Sequence, residues 1–466
     1  MNIYRENYWS LYLDFVEDFK EVIYRGYRLS HLVHFPSLIR NNSNIWDRIA
    51  RDSLQNELHH HVTDQKQVQD FFTRYLATWN SPQNAKNGHI AFLEDSLLRI
   101  PTRTFEKYFE KNKTIFIKTY KYPHDQAQQN IYYLQDYLSH STAESKAKIK
   151  KQIQTLLTQF SDHHLYKDHV FQHMLIKKIH FVIDQIEMME QLLKKNNIST
   201  VIMSSPNHFG RVMAFVAKKR GIPTICMQHG IIGNELGYLP KVATIDAVYG
   251  QFEKDWYLQS GVPEDGVKII GHPRFDQSNQ KPAITKAQFI KYLKLDKRKK
   301  TLLLIVRGKR NMNKWQILLE HIEKTLNLNI ILRDFPNDEQ HPLLLHYSSI
   351  KSTKNLSLYD ILPHVDAVVS YTSTVALEAM LVGKPVFMLH TKLPSYTGYY
   401  NGLQSLVNND PLKLADAIQL YFKHAKWRKS VQKIQDKFLA YAYPDQSSSG
   451  QRLRNLVDEL AKGAKK

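Results

Sequence analysis

His229 is the residue whose type and setting most directly suggest proton chemistry. It stands between Gln228 and Gly230, where the apolar run Thr224–Met227 stops. A neutral imidazole can take a proton near pH 7, because its ordinary pKa is about 6.5. Neither neighbour can do so, since Gln228 does not titrate and Gly230 has no side chain. Two adjacent carboxylates, Glu94 and Asp95, end a second apolar run, Gly88–Leu93. They offer an acid–base pair or a salt bridge to Arg99. The competing role for His229 is a hydrogen bond to its own loop.

Residues suited to holding an anion gather in the second half. Ser370-Tyr371-Thr372-Ser373-Thr374 separates the apolar run Ala367–Val369 from a helical pattern at Val375–Leu381. A helix start presents unpaired backbone N–H groups and the positive end of the helix dipole, and Ser373 and Thr374 add hydroxyls. Glu378 lies four residues beyond Thr374, where it could accept hydrogen bonds from a sugar or ribose. Arg274, in Gly271-His272-Pro273-Arg274-Phe275-Asp276, and Arg307, after the run Thr301–Val306, supply positive charge. Plain N-capping by Ser373 or Thr374 is the alternative. Neither a G-x-x-x-x-G-K-[ST] loop nor a G-x-G-x-x-G turn is present, which excludes a P-loop ATPase and an ordinary dinucleotide enzyme.

Metal chemistry has little to build on. His59-His60-His61 points in several directions and reads as surface, and His169 and His173 lack an acidic helper between them. One cysteine, Cys226, excludes an internal disulfide and a multi-cysteine cluster. No metal and no other cofactor is expected.

The elements that must position these residues alternate between strand and helix. Ser199–Met203, the loop Ser204–His208, a helix at Arg211–Lys219 closed by Gly221, and Thr224–Met227 form one βαβ crossover. Gly88–Leu93, Thr114–Tyr120, Ala247–Tyr249 and Val267–Ile270 read as further strands of the same parallel sheet. A polar stretch after Asp276 reads as a linker, and a second set follows: Thr301–Val306, Asn329–Leu332, Ala367–Val369 and Val386–Leu389. Before them, Tyr8, Leu11, Tyr12, Phe15, Phe19, Val22 and Ile23 have helical spacing and read as core. The expected organisation is an N-terminal helical region over 1–80, first domain 81–276, second domain 283–450 and a last helix 451–466.

Composition bounds the rest. The chain has 466 residues, 42% hydrophobic and 11% aromatic, enough for two or three domains with real cores. No apolar run reaches the roughly 20 residues of a membrane span, and the start of the chain does not read as a secretory signal, so a cytoplasmic protein is expected. Lys plus Arg number 64 against 44 for Asp plus Glu, a net charge of +20. Modest basic clusters lie at Lys146–Lys151 and Lys297–Lys300. No nucleic-acid motif accompanies this charge, so an anionic membrane face and anionic substrates are the expected partners.

The ordered motifs Glu94-Asp95-Ser96-Leu97-Leu98-Arg99, Gln228-His229-Gly230, Gly271–Asp276, Ser370-x-x-Ser373-Thr374-x-x-x-Glu378-Ala379 and Gly383-Lys384-Pro385-Val386 resemble those of bacterial capsule polysaccharide transferases. The tail from Tyr443-Pro444-Asp445 to Arg452 is similar to that group's ending, and the likeness covers roughly residues 88–460. Capsule Kdo and related acidic-sugar transferases and teichoic-acid glycerophosphotransferases share the pattern. The resemblance implies a glycosyltransferase of the two-Rossmann (GT-B) type, with two doubly wound α/β domains facing a cleft. It implies a nucleotide-sugar donor, a glycan or lipid-linked glycan acceptor of the cell surface, and a place on the inner face of the cell membrane. His229 or the Glu94–Asp95 pair would be the base, and Arg274, Arg307, Ser370, Ser373, Thr374 and Glu378 would hold the donor. The chain departs from the pattern in three places. Ser370 stands where a paired glutamate would fall, Arg333-Asp334-Phe335-Pro336 replaces a basic-x-His-Pro turn, and Ser204–Gly210 lacks an Asp that retaining Kdo transferases carry. These favour direct displacement over a covalent retaining route. Rival readings are a polyol-phosphate transferase, a sugar-nucleotide 2-epimerase and a non-catalytic glycan-binding partner of an export complex.

Overall fold

The computed structural model describes residues 1–79, 87–121, 130–138, 141–309, 311–333, 339–391, 395–445 and 447–463. Arg310 and the turn Asp334–Pro336 lie outside the described residues, as does the expected boundary near residue 80. The chain divides into two compact units. The first holds 1–249, 253–272 and 450–466, and the second holds 250–252 and 273–449. The first unit's segment ends at His272, four residues before the expected end at Asp276. The 3-10 segment Pro273–Asn279 packs against helix Thr374–Leu381 of the second unit.

In the first unit the apolar runs become β1 (His89–Glu94), β2 (Thr114–Lys118), β3 (Ile131–Tyr133), β4 (Ile198–Met203), β5 (Thr224–Met227), β6 (Ile245–Val248) and β7 (Val267–Ile269). All pair in parallel, in the order β3-β2-β1-β4-β5-β6-β7. Every residue of β4, β5 and β6 is buried, as parallel strands covered on both faces require. Strand order reverses between β1 and β4. There the crossovers leave to opposite sides and open a crevice at the carboxyl ends of the strands, where doubly wound sheets bind ligands.

Helix His208–Lys219 follows β4 and returns the chain to β5. It can start so close to the sheet because Gly210 has no side chain: a Cβ there would lie 2.0 Å from the Ser205 carbonyl oxygen. The helix stops at Gly221, whose φ of +67° suits glycine, and Ile222 N–H reaches back to the Ala217 carbonyl. The C-terminal helix Ser449–Gly463 puts Leu453, Leu456 and Val457 into the core formed with Phe92, Ile202 and Ile225.

The N-terminal aromatic stripe is core: Tyr8, Trp9, Tyr12, Phe15 and Phe19 are buried. Ile23 is not, because the helix Ile3–Asp18 has ended and Ile23 begins a short hairpin with Tyr27–Arg28. His59 and His61 are exposed, and the His60 side chain, 40% exposed, also reaches inward. Its Nδ1 lies 2.6 Å from the buried carboxylate of Asp14, which also accepts the backbone N–H groups of His59 and His60.

The second unit repeats the construction. Its strands are β8 (Lys300–Ile305), β9 (Leu328–Leu332), β10 (Lys351–Ser352), β11 (Ala367–Ser370), β12 (Val386–Leu389) and β13 (Val407–Asn408). They are parallel in the order β10-β9-β8-β11-β12-β13, so strand order reverses between β8 and β11. The chain therefore has two Rossmann-like α/β domains. The two- and three-residue edge strands β3, β10 and β13 carry no apolar period and were not legible beforehand.

Burial alone would raise the Asp14 pKa, but the His163 ring beside it and hydrogen bonds from His60 and from the two amides hold it well below the usual carboxylate range. Its contribution to stability is therefore complete above the unfolded value of about 3.9 and drains away as pH falls. The Asp14 hydrogen bond raises the His60 pKa, so that contribution is complete below about 6.5 and is lost as pH rises through the folded value. Asp14→Asn should lower unfolding free energy at pH 7 by about 1–3 kcal/mol and flatten the acid limb, read by urea unfolding in pH steps. An acid limb identical to wild type would show that Asp14 does not carry it.

Candidate functional site

The first unit brings two of its candidates, Asp95 and His229, together with Ser204 at its own point of strand reversal. Asp95 follows β1, Ser204 follows β4, and His229 lies two residues beyond β5. The Ser204 hydroxyl lies 2.8 and 2.7 Å from the two Asp95 carboxylate oxygens and donates to them. Asp95 also accepts the Leu97 and Leu98 backbone N–H groups at 2.8 and 2.9 Å, which closes the turn after the strand. His229 Nδ1 lies 3.0 Å from the Ser204 carbonyl oxygen. A carbonyl only accepts, so in the neutral ring the hydrogen is on Nδ1 and the basic lone pair is on Nε2.

The ring is also fixed from its face. Tyr238 stacks on it at 5.0 Å between centroids and 12° between planes. The Tyr238 hydroxyl donates to the Gly230 carbonyl at 2.8 Å, tying both ends of the 229–238 loop. Burial pushes the Tyr238 pKa well up, so this hydroxyl keeps its proton. Gln228 holds the strand end: its amide donates to the Gly230 carbonyl and to Glu253, and its oxygen accepts the Tyr249 N–H. The N-terminal helical region supplies the outer brace. Buried Glu235, in the same loop, accepts from Trp9 Nε1 at 3.0 Å and pairs with Arg5 at 2.7 Å. Burial raises its pKa, and Arg5 opposes that rise.

Glu94 is set apart from this group. It pairs with Lys118 at 3.5 Å, whereas Arg99 turns its Nε to the Ser96 carbonyl. The alternative carboxylate–Arg99 bridge does not form: Arg99 sits in the left-handed region at φ +45° and folds back on its own turn. Cys226 and Asp246 line one small pocket together with His229, Pro206, Met227 and Tyr257. Burial raises Asp246 to about 6 against the opposing charge of Lys241.

The second unit places Arg307, Ser370, Ser373 and Thr374 at the reversal between β8 and β11. Arg307 is exposed two residues past β8, and Ser370 pairs in register with Ile305. Ser373 is the N-cap of helix Thr374–Leu381, its hydroxyl accepting from the Val375 N–H at 3.3 Å. Its carbonyl accepts the Tyr400 hydroxyl at 2.6 Å. Thr374 is half-buried at the first helical position. Ser370, by contrast, is fully buried and gives its hydroxyl to the Tyr371 carbonyl.

Arg274 and Glu378 meet one another. Arg274 Nε lies 3.3 Å from Glu378, and the Tyr359 hydroxyl donates to the same carboxylate at 2.9 Å. Both residues are more than nine-tenths buried. Burial, then the Glu378 charge, drive the Tyr359 pKa up, keeping that hydroxyl a donor. Among the described residues no group of three or more His, Cys, Asp or Glu is arranged to hold a metal.

With this geometry the chain can be set beside known proteins. No protein-family profile matches it. Lipid-A-disaccharide synthase of Syntrophotalea carbinolica is 25% identical over 199 residues, 40% of this chain and 50% of that protein. The chain thus matches about half the length of this curated relative. A solved UDP-N-acetylglucosamine 2-epimerase is similar at TM-score 0.52 and 11% identity, over 83% of this chain and 98% of its own. A glycosyltransferase from Rickettsia africae ESF-5 is similar at TM-score 0.50 and 12% identity, over 81% of this chain and 99% of its own. The fold is the two-Rossmann GT-B fold.

Within this GT-B fold, His229, Asp95, Ser373, Thr374 and Arg307, named from the sequence, lie at or just beyond strand or helix ends, and the residues that hold them were not named. Ser204, Tyr238 and Glu235 carry no motif of their own. Only the serine pair at the end of the Ser199–Met203 run was a usable signal.

The buried pair gives a direct test of the second domain's interior. Arg274→Ala should destabilise the protein by about 3–5 kcal/mol, because it leaves the Glu378 charge buried without its partner. Arg274→Met with Glu378→Leu should recover most of that loss. Chemical denaturation of the three proteins measures it, and a mild Arg274→Ala would show that the pair is exposed in solution.

Proposed function

We propose that the protein is a glycosyltransferase that moves a sugar from a nucleotide-sugar donor to a surface-glycan acceptor. The observation that carries the reading is the Asp95–Ser204–His229 group at the strand reversal of one Rossmann-like domain. His229 has the tautomer a base needs, and the GT-B fold suits a nucleotide-linked sugar. The partial likeness to a lipid-A-disaccharide synthase supports transfer of a sugar rather than another group.

In this reading the acceptor hydroxyl gives its proton to His229 Nε2. The Ser204 carbonyl and the Tyr238 ring hold the imidazole, and Asp95 orients Ser204. The donor phosphates lie at the start of helix Thr374–Leu381. There a phosphate oxygen takes the Val375 N–H in place of the Ser373 hydroxyl, with Thr374 and Arg307 adding donors. Arg274 and Glu378 shape that domain rather than touch the donor. Charge stabilisation by these groups needs no metal, and direct displacement needs no covalent intermediate. The net charge of +20 and the absence of a spanning helix among the described residues fit a peripheral protein on an anionic membrane face.

Calorimetric titration with UDP-, CMP-, GDP- and CDP-linked donors identifies the nucleotide. Ser373→Ala with Thr374→Ala should weaken its binding at least tenfold, with a stability loss of only about 1 kcal/mol from the missing cap. Unchanged affinity would move the donor site elsewhere. With the donor known, His229→Ala should cost at least about a hundredfold in turnover, as a lost general base does. Wild-type turnover in His229→Gln, which keeps a hydrogen bond but cannot take the proton, would hand the role to Asp95 or Glu94. Inversion of UDP-N-acetylglucosamine without any acceptor would favour the epimerase reading instead.

A further inference from the structure

One strongly charged corner of the second unit takes no part in the candidate site. From Ala417 to Gln435 the chain has no Asp or Glu, yet it carries Lys423, Lys426, Arg428, Lys429 and Lys433. Helices Pro411–Lys423 and Ala425–Ala442 meet there, with His424 at the end of one and the start of the other. Their inner faces bury Leu414, Ile418, Val431 and Phe438, and all five cations are exposed.

Two features separate this corner from ordinary solvated charge. First, its cations are uncompensated: among the described residues no carboxylate lies within ion-pair distance of any of the five. The basic clusters visible in the sequence are compensated in part. Lys146 pairs with Asp184, Arg298 with Asp296, and Lys300 with Asp366. Second, apolar surface is interleaved with the charge. Leu420 is 45% exposed, and Tyr421, Phe422 and Trp427 are half-buried around it. The corner is also well held. Trp427 Nε1 donates to the Ala417 carbonyl at 3.1 Å, and Arg428 caps the Tyr421 and Phe422 carbonyls at 3.1 and 3.2 Å.

We propose that this corner, residues 420–433, docks the protein on anionic lipid headgroups. The inference rests on the peripheral-membrane reading above and locates it. Clusters of Lys and Arg on an amphipathic helix are drawn to the negative surface potential of such a leaflet. Long lysine stems let the charges reach phosphates while the apolar residues between them meet the acyl boundary. Nucleic acid shares the phosphate chemistry, but an exposed Leu420 gains nothing from it. The ring faces that bases would stack on are partly covered.

The test compares three full-length proteins on phosphatidylcholine vesicles with and without phosphatidylserine. They are wild type, a corner variant (Lys423, Lys426, Lys429 and Lys433→Gln) and a control of equal charge change (Lys148, Lys150, Lys151 and Lys167→Gln). Wild type should bind the anionic vesicles and come off at high salt. The corner variant should lose at least about tenfold in partitioning, and the control should stay within about twofold of wild type. Equal losses in both variants would overturn the location and leave only diffuse attraction. Wild type binding neutral and anionic vesicles alike would overturn the membrane reading itself, whatever the nucleotide titration shows. A corner variant that keeps vesicle binding but releases single-stranded RNA would assign the corner to nucleic acid.

Discussion

Strand reversal in a parallel sheet is the constraint on which this structure depends. Where β1 and β4 send their crossovers to opposite faces, no connection covers the strand ends, and the polar groups there must satisfy one another. The Ser204 hydroxyl does this for the Asp95 carboxylate across the opening. The carbonyl of the same serine receives His229. One residue thus joins three strand ends, and the proton position on His229 follows from its being a carbonyl that does the accepting.

The remainder of the first unit can be read as support for that point. Gly210 lets the next helix approach the Ser205 backbone, where any side chain would collide. The loop after His229 would be free to move, but Tyr238 closes it and Glu235 ties it to Arg5 and Trp9. Burying Glu235 disfavours its charge, and the ion pair and indole hydrogen bond offset that penalty. The N-terminal helical region thus has a structural reason to be there: its aromatic core anchors the loop that stacks on the candidate base.

The second unit meets the same constraint with a different balance of forces. Its strand reversal presents a capped helix start and an exposed arginine, and its strongest electrostatics are turned inward. Arg274, Glu378 and Tyr359 form a buried group whose charges would each be costly alone. Such a group fixes the position of helix Thr374–Leu381, and with it the direction of the N–H groups at its start.

Much of this was legible from the order of residues. Apolar runs bounded by turns place β1, β4, β5, β8, β11 and β12 to within a residue or two, because a buried parallel strand must be continuously apolar. Gly221 marks a helix end for the same local reason. Strand alternation with helices determines the α/β class and puts His229, Asp95 and Ser373 at strand or helix ends. Tertiary structure alone decided the pairings. That Arg274 meets Glu378, that Asp95 meets Ser204 rather than Arg99, and that His60 pairs with Asp14 depended on contacts up to about a hundred residues apart in the chain. Polar side chains have no periodic signature, since the same arginine is satisfied by water, by an anion or by a buried carboxylate. Only the packed core determines which of these it meets.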